Sequence, residues 1–275
     1  MNALTDAEKL AEFIHQHPNL FILTGAGIST DSGIPDYRDK NGDWKRKQPV
    51  QHKAFMENLL VRQRYWARSL IGWPVIRDAI PGAAHHALVE LQSRGYVRQI
   101  VTQNVDRLHQ QAGSQQVVDL HGRSDQVRCM QCNRVSARDE VHQRSADYNP
   151  DFMHFQASAA PDGDADLEGV AFEQFRVPAC KHCGGILKPD VVFFGDNVPK
   201  ERVLSALDQL QRSDALLVIG SSLMVYSGFR FCRRAQEWDI PICSVNLGKT
   251  RTDDLLNLKI DHPITPTLRH CLQHL

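Results

Sequence analysis

Two pairs of cysteines are the residues whose types and spacing indicate chemistry most directly. Each pair has the form Cys-x-x-Cys, at Cys129 and Cys132 and again at Cys180 and Cys183. Four thiolates presented by two tight turns suit tetrahedral zinc, and a site with four protein ligands has no open position for water or substrate. We therefore predict one structural zinc ion (Zn2+) per chain. The alternative is two unrelated redox or core pairs.

A glycine-rich turn, Gly25-Ala26-Gly27, directly follows the apolar run 20–23. In open α/β sheets, a strand that enters such a turn brings backbone N–H groups close to a pyrophosphate. The dinucleotide-binding pattern is incomplete, because Thr30 stands where the third glycine of G-x-G-x-x-G belongs. The chain continues into a second loop, 32–38, which we expect to form a mobile flap over the site.

Polar side chains also follow the apolar run 97–101. Gln103, Asn104 and Asp106 lie within four residues, and their amide and carboxylate groups are suited to holding a ribose or a carboxamide. His109 comes next, and we expect it to face the surface of a helix.

His121 follows the apolar run 117–120 and precedes Gly122, which leaves room for a ligand. Histidine titrates near neutral pH and is a natural general base. Its place at the end of a predicted strand favours His121 over the other histidines for this role.

Strands alternating with helices position these groups. Apolar runs predict strands at 20–23, 97–101, 117–120, within 187–194, at 215–219 and at 240–245, and helices at about 84–94, 200–212 and 228–238. This alternation implies an α/β fold with a mostly parallel sheet covered on both faces. Nearly every strand ends in glycine or a small polar residue, at the edge where such sheets bind ligands. The alternative is that these residues only mark turns.

The predicted architecture is a Rossmann-like parallel-sheet domain with a smaller domain inserted. The first comprises 1–40, 75–124 and 189–275, and the second comprises a helical part, 41–74, and a zinc-binding part, 125–188. The helical part is expected to end at 72–74. The polar segment 157–169 is predicted to be a solvated loop, although a loop that reaches the cleft is the alternative.

Composition excludes several classes of protein. The chain has 275 residues with 32 basic and 32 acidic side chains, so no overall field attracts nucleic acid or membrane. The first 20 residues predict an amphipathic helix instead of a targeting peptide, and no run of about 18 apolar residues occurs. The remaining cysteines, Cys232, Cys243 and Cys271, are predicted to be core residues. A cytoplasmic location is expected.

Together these motifs resemble the sirtuin family of NAD-dependent protein-lysine deacylases, and class II sirtuins most. The motifs that carry the resemblance are GAGIST…SGIPDYR, TQNVD, LHG, the two cysteine pairs, LKPDVVFFG, GSSL and VNLG, and RQRYWARSLIGWP, APDGD and KPDVVFFGDNVP point to class II. The resemblance covers about residues 10–260. It implies that NAD is a co-substrate, with acyl-lysine proteins or peptides as the other substrate.

The resemblance also implies residue roles. The NAD-binding residues would be Gly25, Ala26 and Gly27 at the phosphates, Asp36, Tyr37 and Arg38 in the flap, Gln103, Asn104 and Asp106 at the nicotinamide ribose and carboxamide, and Gly220, Ser221, Ser222, Asn246, Leu247 and Gly248 at the adenosine half. Asn104 would share the catalytic site with His121. Val192, Phe193 and Gly195 would pair with the substrate backbone as an added strand.

The implied reaction releases nicotinamide and joins the acyl oxygen to C1′ of the ribose. His121 then deprotonates the ribose hydroxyls, the 2′-oxygen attacks, and water completes the release of lysine and O-acyl-ADP-ribose. The first alternative is transfer of ADP-ribose to protein at the same site. The second is a non-catalytic module whose zinc ribbon binds protein or nucleic acid.

Two residues on one predicted helix bear on which acyl group the site accepts. Tyr65 and Arg68 are three apart and so share a face. Desuccinylating sirtuins carry a similar Tyr-x-x-Arg, whose arginine pairs with an acidic acyl carboxylate. The alternative is that Arg62, Arg64 and Arg68 form a basic face toward solvent or a neighbouring loop.

Overall fold

Apolar runs separated by glycine and polar turns form two sheets in the computed structural model, which describes residues 5–46, 48–155, 167 and 170–275. The strands are β1 (Leu20–Thr24), β2 (Val97–Thr102), β3 (Val117–Asp119), β4 (Gly122–Cys129), β5 (Val135–Ala137), β6 (Leu187–Val191), β7 (Ala215–Ile219), β8 (Ile242–Val245) and β9 (Leu258–Ile260). The α-helices are α1 (Asp6–Gln16), α2 (His52–Glu57), α3 (Leu59–Arg77), α4 (Ala83–Ser93), α5 (Leu108–Ala112), α6 (Arg138–Tyr148), α7 (Lys200–Gln211), α8 (Tyr226–Glu237) and α9 (Ile264–Cys271). Short 3-10 helices cover Ala26–Ser32, Pro150–His154, Phe172–Gln174 and Asp253–Leu255.

The larger sheet has six parallel strands in the order β3-β2-β1-β7-β8-β9. Its central strand β1 is buried on both faces, as expected for a parallel sheet between helices. Leu20 and Ile22 pack with α1, α4 and α9, whereas Phe21 and Leu23 pack with α7 and α8 on the other face. The predicted fold class, a Rossmann-like parallel sheet with a smaller part inserted, is confirmed.

The smaller sheet is antiparallel, in the order β5-β4-β6. Helices α2, α3 and α6 pack against it around a largely aromatic core that includes Phe55, Trp66 and Phe175. This sheet carries the cysteines, since Cys129 ends β4 opposite Leu187, the first residue of β6.

Three elements differ from the sequence prediction. The strand within 187–194 is β6, which pairs antiparallel with β4 and is not part of the parallel alternation. The described residues of 41–50 form no helix, and α3 continues through Pro74 to Arg77 instead of ending at 72–74. Proline is tolerated there because its fixed φ is helical and only one backbone donor is lost near the helix end.

The eight-residue strand β4, the short strands β5 and β9 and the helices α6 and α9 were not predicted. The sheets place 122–124 and 189–191 with the smaller sheet, so β4 and β6 run across the predicted domain boundaries. The predicted loop 157–169 lies outside the described residues, apart from Leu167.

The three scattered cysteines are buried, as predicted: Cys232 and Cys243 are fully covered and Cys271 is almost so. Within the described part of the chain, no helix combines the length and apolar character that crossing a bilayer requires.

Candidate active site

A pocket of about 730 Å³ opens at the carboxyl ends of β1, β2 and β7, beside the segment 191–198. The parallel ladders end together there, with Thr24 opposite both Thr102 and Ile219, so the loops that follow these strands meet. The predicted site residues on its wall are Gly25, Ala26, Gly27, Asp36, Tyr37, Arg38, Tyr65, Gln103, Asn104, Asp106, His121, Val192, Phe193, Gly195, Gly220, Ser221, Ser222, Asn246 and Leu247. Arg68 and Gly248 are not on the wall.

The glycine-rich turn is close-packed against the loop after β7. The Gly27 N–H donates to the Gly220 carbonyl at 2.9 Å, and a Cβ on Gly27 would lie 2.9 Å from the Gly220 Cα. Gly220 itself has φ +64°, and a Cβ on it would lie 2.5 Å from the Ile28 backbone nitrogen. Only glycine fits at the contact between Gly27 and Gly220. Because neither residue has a side chain, their backbone groups at the pocket floor stay accessible to a ligand.

Beneath the floor lies a buried chain of hydrogen bonds. The Thr24 hydroxyl donates to Thr102 Oγ1 at 2.9 Å, and His109 Nε2 lies 2.9 Å from Thr24 Oγ1. Because the Thr24 hydrogen is used, Nε2–H of His109 is the donor. Thr102 Oγ1 also accepts from the Asn104 N–H at 3.1 Å. This chain fixes the turn that carries the predicted ribose-binding residues.

His109 therefore does not face the surface of a helix, and that prediction is wrong. It is 1 % exposed and packs edge-on against the equally buried His85, with ring centroids 5.0 Å apart. The reason is that α5 lies under the β2 turn, where its histidine supplies the donor that Thr24 needs.

Gln103 and Asn104 are held in fixed orientations. The Asn104 amide donates to the Gly25 carbonyl at 3.1 Å and to Ser29 Oγ at 3.0 Å, so its Oδ1 is the atom that remains to meet a ligand. The Gln103 amide donates to the Thr24 carbonyl and, at 2.8 Å, to Ser221 Oγ. Because carbonyl oxygens only accept, neither amide can be flipped.

Asp106 is a buried carboxylic group at the floor of the pocket, only 6 % exposed. Its carboxylate accepts from the Ser29 hydroxyl at 2.7 Å and from the Leu108 N–H at 3.0 Å. Burial raises the pKa of Asp106, and the two hydrogen bonds oppose that shift. Ser29 thus connects Asp106 to Asn104 and joins the glycine-rich turn to the β2 turn.

His121 lies at the floor between two partners. Its Nδ1 is 3.0 Å from the Gln103 carbonyl and its Nε2 is 2.7 Å from Ser227 Oγ. A carbonyl only accepts, so Nδ1 carries the hydrogen and Nε2 presents its lone pair. Burial lowers the pKa of His121 to about 4, with smaller contributions in the same direction from Arg202 and Arg230. The imidazole is therefore neutral at pH 7 and able to accept a proton.

An aromatic cluster orders the second loop on the far side of the pocket. Tyr37 and Phe194 both pack edge-on against Trp44, and the Arg38 guanidinium lies 3.9 Å from the Trp44 ring centroid. Asp36 pairs with Lys45. Gly248 supports this loop from behind, because its neighbour Lys249 donates to the Lys40 carbonyl at 2.8 Å.

The residues predicted to pair with the substrate backbone lie beside this cluster, on the segment that carries Phe194. The Val192 N–H donates to the His121 carbonyl at 2.7 Å, and Phe193 packs on Tyr65 with ring centroids 5.2 Å apart. Tyr65 is buried, whereas Arg68 is half-buried one turn along α3. The structure thus brings Tyr65 to the pocket but not Arg68.

The four predicted zinc ligands form one cluster. Their sulfur atoms all lie within 4.8 Å of one another, with Cys129 Sγ and Cys183 Sγ 3.5 Å apart and Cys132 Sγ and Cys180 Sγ 3.8 Å apart. A tetrahedron with Zn–S bonds of about 2.3 Å has edges of about 3.8 Å. The donor set and its dimensions fit zinc. With four sulfurs the site is closed, and its role is to join the β4 and β6 ends.

Sequence reasoning missed several polar residues on the pocket wall, among them Ser29, Ser227 and Arg230. Ser29 follows the glycine-rich turn by two residues and its position there was a usable signal. Ser227 and Arg230 lie on α8, and nothing in the local pattern separates them from surface residues of an amphipathic helix.

The buried histidines predict how stability depends on pH. Burial lowers the pKa of His85 to about 4 and that of His109 to about 3, below the 6.5 of the unfolded chain. The unfolded chain then binds protons that the folded chain does not, so stability is full above pH 6.5 and falls as pH drops toward 4. At pH 5 we expect a loss of about 2 kcal/mol for each histidine.

Urea unfolding at pH 7 and pH 5 tests this expectation. The difference in unfolding free energy between the two pH values should shrink by about 2 kcal/mol in His109→Gln. It should change little in His270→Gln, which alters an exposed histidine on α9. An undiminished difference in His109→Gln would contradict the assignment of a neutral buried imidazole.

The parallel sheet, the pocket at its carboxyl edge and the separate four-cysteine cluster define a dinucleotide-binding protein with a structural metal site. The chain belongs to the Sir2 family, whose model matches residues 25–227. The recognition of a sirtuin from sequence motifs is confirmed.

Similar proteins have related names. A protein of Xanthomonas campestris pv. campestris named NAD-dependent protein deacetylase is 58 % identical over 259 residues, covering 94 % of this chain and 88 % of the relative. NAD-dependent protein deacylase Sirt4 of Drosophila melanogaster is 45 % identical, covering 93 % and 83 %. A solved complex of Sir2 with a p53 peptide and NAD+ has 27 % identity and a TM-score of 0.77, covering 96 % of each chain.

Proposed function

We propose that this protein is an NAD-dependent protein-lysine deacylase that transfers the acyl group to ADP-ribose. The observation that carries the proposal is His121, a neutral imidazole on the pocket wall with Gln103 and Asn104, whose Nε2 lone pair accepts from the Ser227 hydroxyl of the same wall. Family membership and the names of the relatives support the same reaction. NAD supplies a ribose carbon whose nicotinamide is already a good leaving group.

The residues of the site suit NAD bound with its nicotinamide end at the loop after β2 and its adenosine end at the loop after β8. Backbone groups of Gly25 to Gly27 and of the loop after β7 suit the phosphates, since they are close-packed and carry no obstructing side chains. Asn104 Oδ1 and the Asp106 carboxyl group suit the nicotinamide ribose and carboxamide. Asn246 and Leu247 lie at the other end of the pocket, where the adenosine half would be held.

His121 is the general base of the proposed reaction. It takes a proton from a ribose hydroxyl at Nε2 and becomes an imidazolium, while Nδ1–H stays on the Gln103 carbonyl. The ribose oxygen, now negative, attacks the acyl carbon. Two aromatic side chains that pack on each other, Tyr37 of the flap and Trp44 after it, line the pocket, where they would limit the access of water.

The acyl-lysine peptide is proposed to lie along the segment 192–195 as an added strand. The location of this segment between His121 and the aromatic cluster supports that arrangement. A cytoplasmic location without nucleic acid or membrane partners stays a prediction from composition.

Nicotinamide release tests the function directly. Purified protein with NAD should release nicotinamide when an acetyl-lysine peptide is added, with loss of the acyl mass from the peptide and formation of acyl-ADP-ribose. A gain of ADP-ribose mass on protein would favour the transferase alternative. No nicotinamide release with acetyl, long-chain, lipoyl, biotinyl or glutaryl peptides would contradict the proposal.

We also propose that Arg68 selects acidic acyl groups. Its place on the same face of α3 as Tyr65, which lines the pocket, supports this role, although the guanidinium has to turn toward the wall to reach a ligand. A bidentate pair with a carboxylate would suit arginine.

Arg68→Met is expected to reduce turnover of glutaryl-lysine peptide at least about tenfold, as loss of a charge-assisted pair predicts. Turnover of acetyl-lysine peptide should stay within about twofold. Both peptides are assayed side by side on the same preparation, with Arg64→Met on the exposed side of α3 as the control. Equal loss on both peptides would contradict acyl selection by Arg68.

A further inference from the structure

Ser227 makes the shortest polar contact of the proposed base. Its Oγ lies 2.7 Å from His121 Nε2, the atom that has to accept a proton in the proposed reaction. Since Nδ1–H is committed to the Gln103 carbonyl, Nε2 has only its lone pair to offer, and the Ser227 hydroxyl is the donor. The two contacts occupy both ring nitrogens and fix the tautomer and the ring plane.

The start of α8 holds this serine in place. Ser227 is the second residue of α8, and the next residue, Gly228, packs on the Gln103 side chain so closely that a Cβ there would lie 2.5 Å from Gln103 Oε1. Gln103 in turn holds His121 Nδ1 through its carbonyl. The first turn of α8 therefore supplies one hydrogen-bond partner of the imidazole, Ser227, and packs against the other, Gln103.

The charged side chains near His121 are cationic, so an imidazolium there depends on neutral oxygen atoms to accept its hydrogens. Arg202 donates to the Leu120 carbonyl at 3.1 Å and Arg230 lines the same pocket, so the described side chains around the ring include two cations. Among the described residues, no carboxylate is hydrogen-bonded to His121. The hydrogen-bonded acceptors on hand for an imidazolium are the Gln103 carbonyl and Ser227 Oγ.

We propose that Ser227 is a positioning residue for the general base of the deacylation, an inference that rests on the proposed function. Before the reaction its hydroxyl donates to the Nε2 lone pair and, because Ser227 itself lines the pocket, holds Nε2 at the pocket wall. When a ribose hydroxyl binds, the Ser227 hydroxyl rotates. The ribose proton moves to Nε2, and the new Nε2–H is donated to Ser227 Oγ, which then acts as acceptor. No bond to Ser227 is made or broken.

This role places the effect of Ser227 after nicotinamide has left, because His121 acts on the ribose hydroxyls only then. Ser227→Ala should lower kcat for deacylation about tenfold, the effect of one hydrogen bond to a charged group. Exchange of labelled nicotinamide into NAD, which precedes the base step, should stay within about twofold, as should KM for NAD. Ser227→Thr, which keeps the hydroxyl, should restore most of the rate.

The controls separate positioning from folding. Ser205→Ala, an exposed serine on α7, should match the wild type in both assays. Loss of exchange and deacylation together in Ser227→Ala would overturn the inference, because a misfolded or displaced helix lowers both. An unchanged deacylation rate would overturn it as well.

A spectroscopic readout keeps the inference independent of activity. In ¹⁵N-histidine NMR spectra of the free protein, His121 should show the Nδ1–H tautomer, and Ser227→Ala should move its Nε2 resonance. An unmoved resonance would overturn the contact whatever the kinetics show. Absence of nicotinamide release from the wild type would instead contradict the proposed function, while the spectrum still decides the Ser227–His121 contact.

Discussion

Replacing His121 by alanine is expected to lower kcat for deacylation by about 10²–10⁴-fold, the usual contribution of a general base. The reason is that the only described side chain presenting an unprotonated ring nitrogen to the reacting end of the pocket is removed. Nicotinamide exchange should persist, because that step needs the pocket and not the base. Single-turnover measurement of acyl transfer beside labelled-nicotinamide exchange checks both expectations.

His86→Ala is the matched control, since this exposed histidine is not on the pocket wall and should leave both rates unchanged. A variant at His121 that keeps wild-type turnover would overturn the assignment of the base. The double variant His121→Ala/Ser227→Ala adds a further check. If Ser227 acts through His121, the double variant should be no slower than His121→Ala alone.

Loss of one cysteine of the metal cluster is expected to have the second large effect, on folding. Binding of a structural zinc ion contributes on the order of 10 kcal/mol to folding, which is comparable to the whole stability of a typical domain. Cys132→Ser should therefore purify without stoichiometric zinc and lose the cooperative melting of the part built on β4 and β6. Elemental analysis together with a thermal melt measures this directly.

Cys271→Ala provides the comparison, because it removes a cysteine outside the cluster. It should retain one zinc per chain and melt within a few degrees of the wild type. Removal of zinc with a strong chelator should reproduce the Cys132→Ser phenotype in the unaltered protein. Wild-type melting together with zinc loss would show that the cluster does not hold the fold.

The parallel sheet was predictable because its strands are continuous apolar runs that end in glycine or small polar residues. Because His121, Gln103 and Asn104 directly follow the ends of such runs, they could be predicted to lie at the ligand-binding edge of the sheet. β6 was assigned to the wrong sheet, because an apolar run does not say whether its neighbour will be parallel or antiparallel. Its partner β4 has one large aliphatic side chain, Val127, among charged, polar and small residues, so no apolar run marks it as a strand.

His109 and Ser227 could not be placed from sequence for a different reason. His109 is buried by a tertiary contact with Thr24, and its own short helix gives no apolar pattern that points inward. Ser227 touches His121 directly although the two are 106 positions apart in the chain, and a serine at the start of a helix usually has a local explanation. Long-range polar contacts of this kind leave no periodic signal.

The pairing of β1 with β7 has a consequence for the order of events during synthesis. Leu20 pairs with Ala215, so the glycine-rich turn and the Gly220 loop that completes it are made far apart in time. At ordinary translation speeds, on the order of ten to forty seconds separate them. Until then the inner edge of β1 is an unpaired apolar strand. The NAD site is thus incomplete in the emerging chain, and β1 at that stage has only elements such as α1, α4 and β2 to pack with.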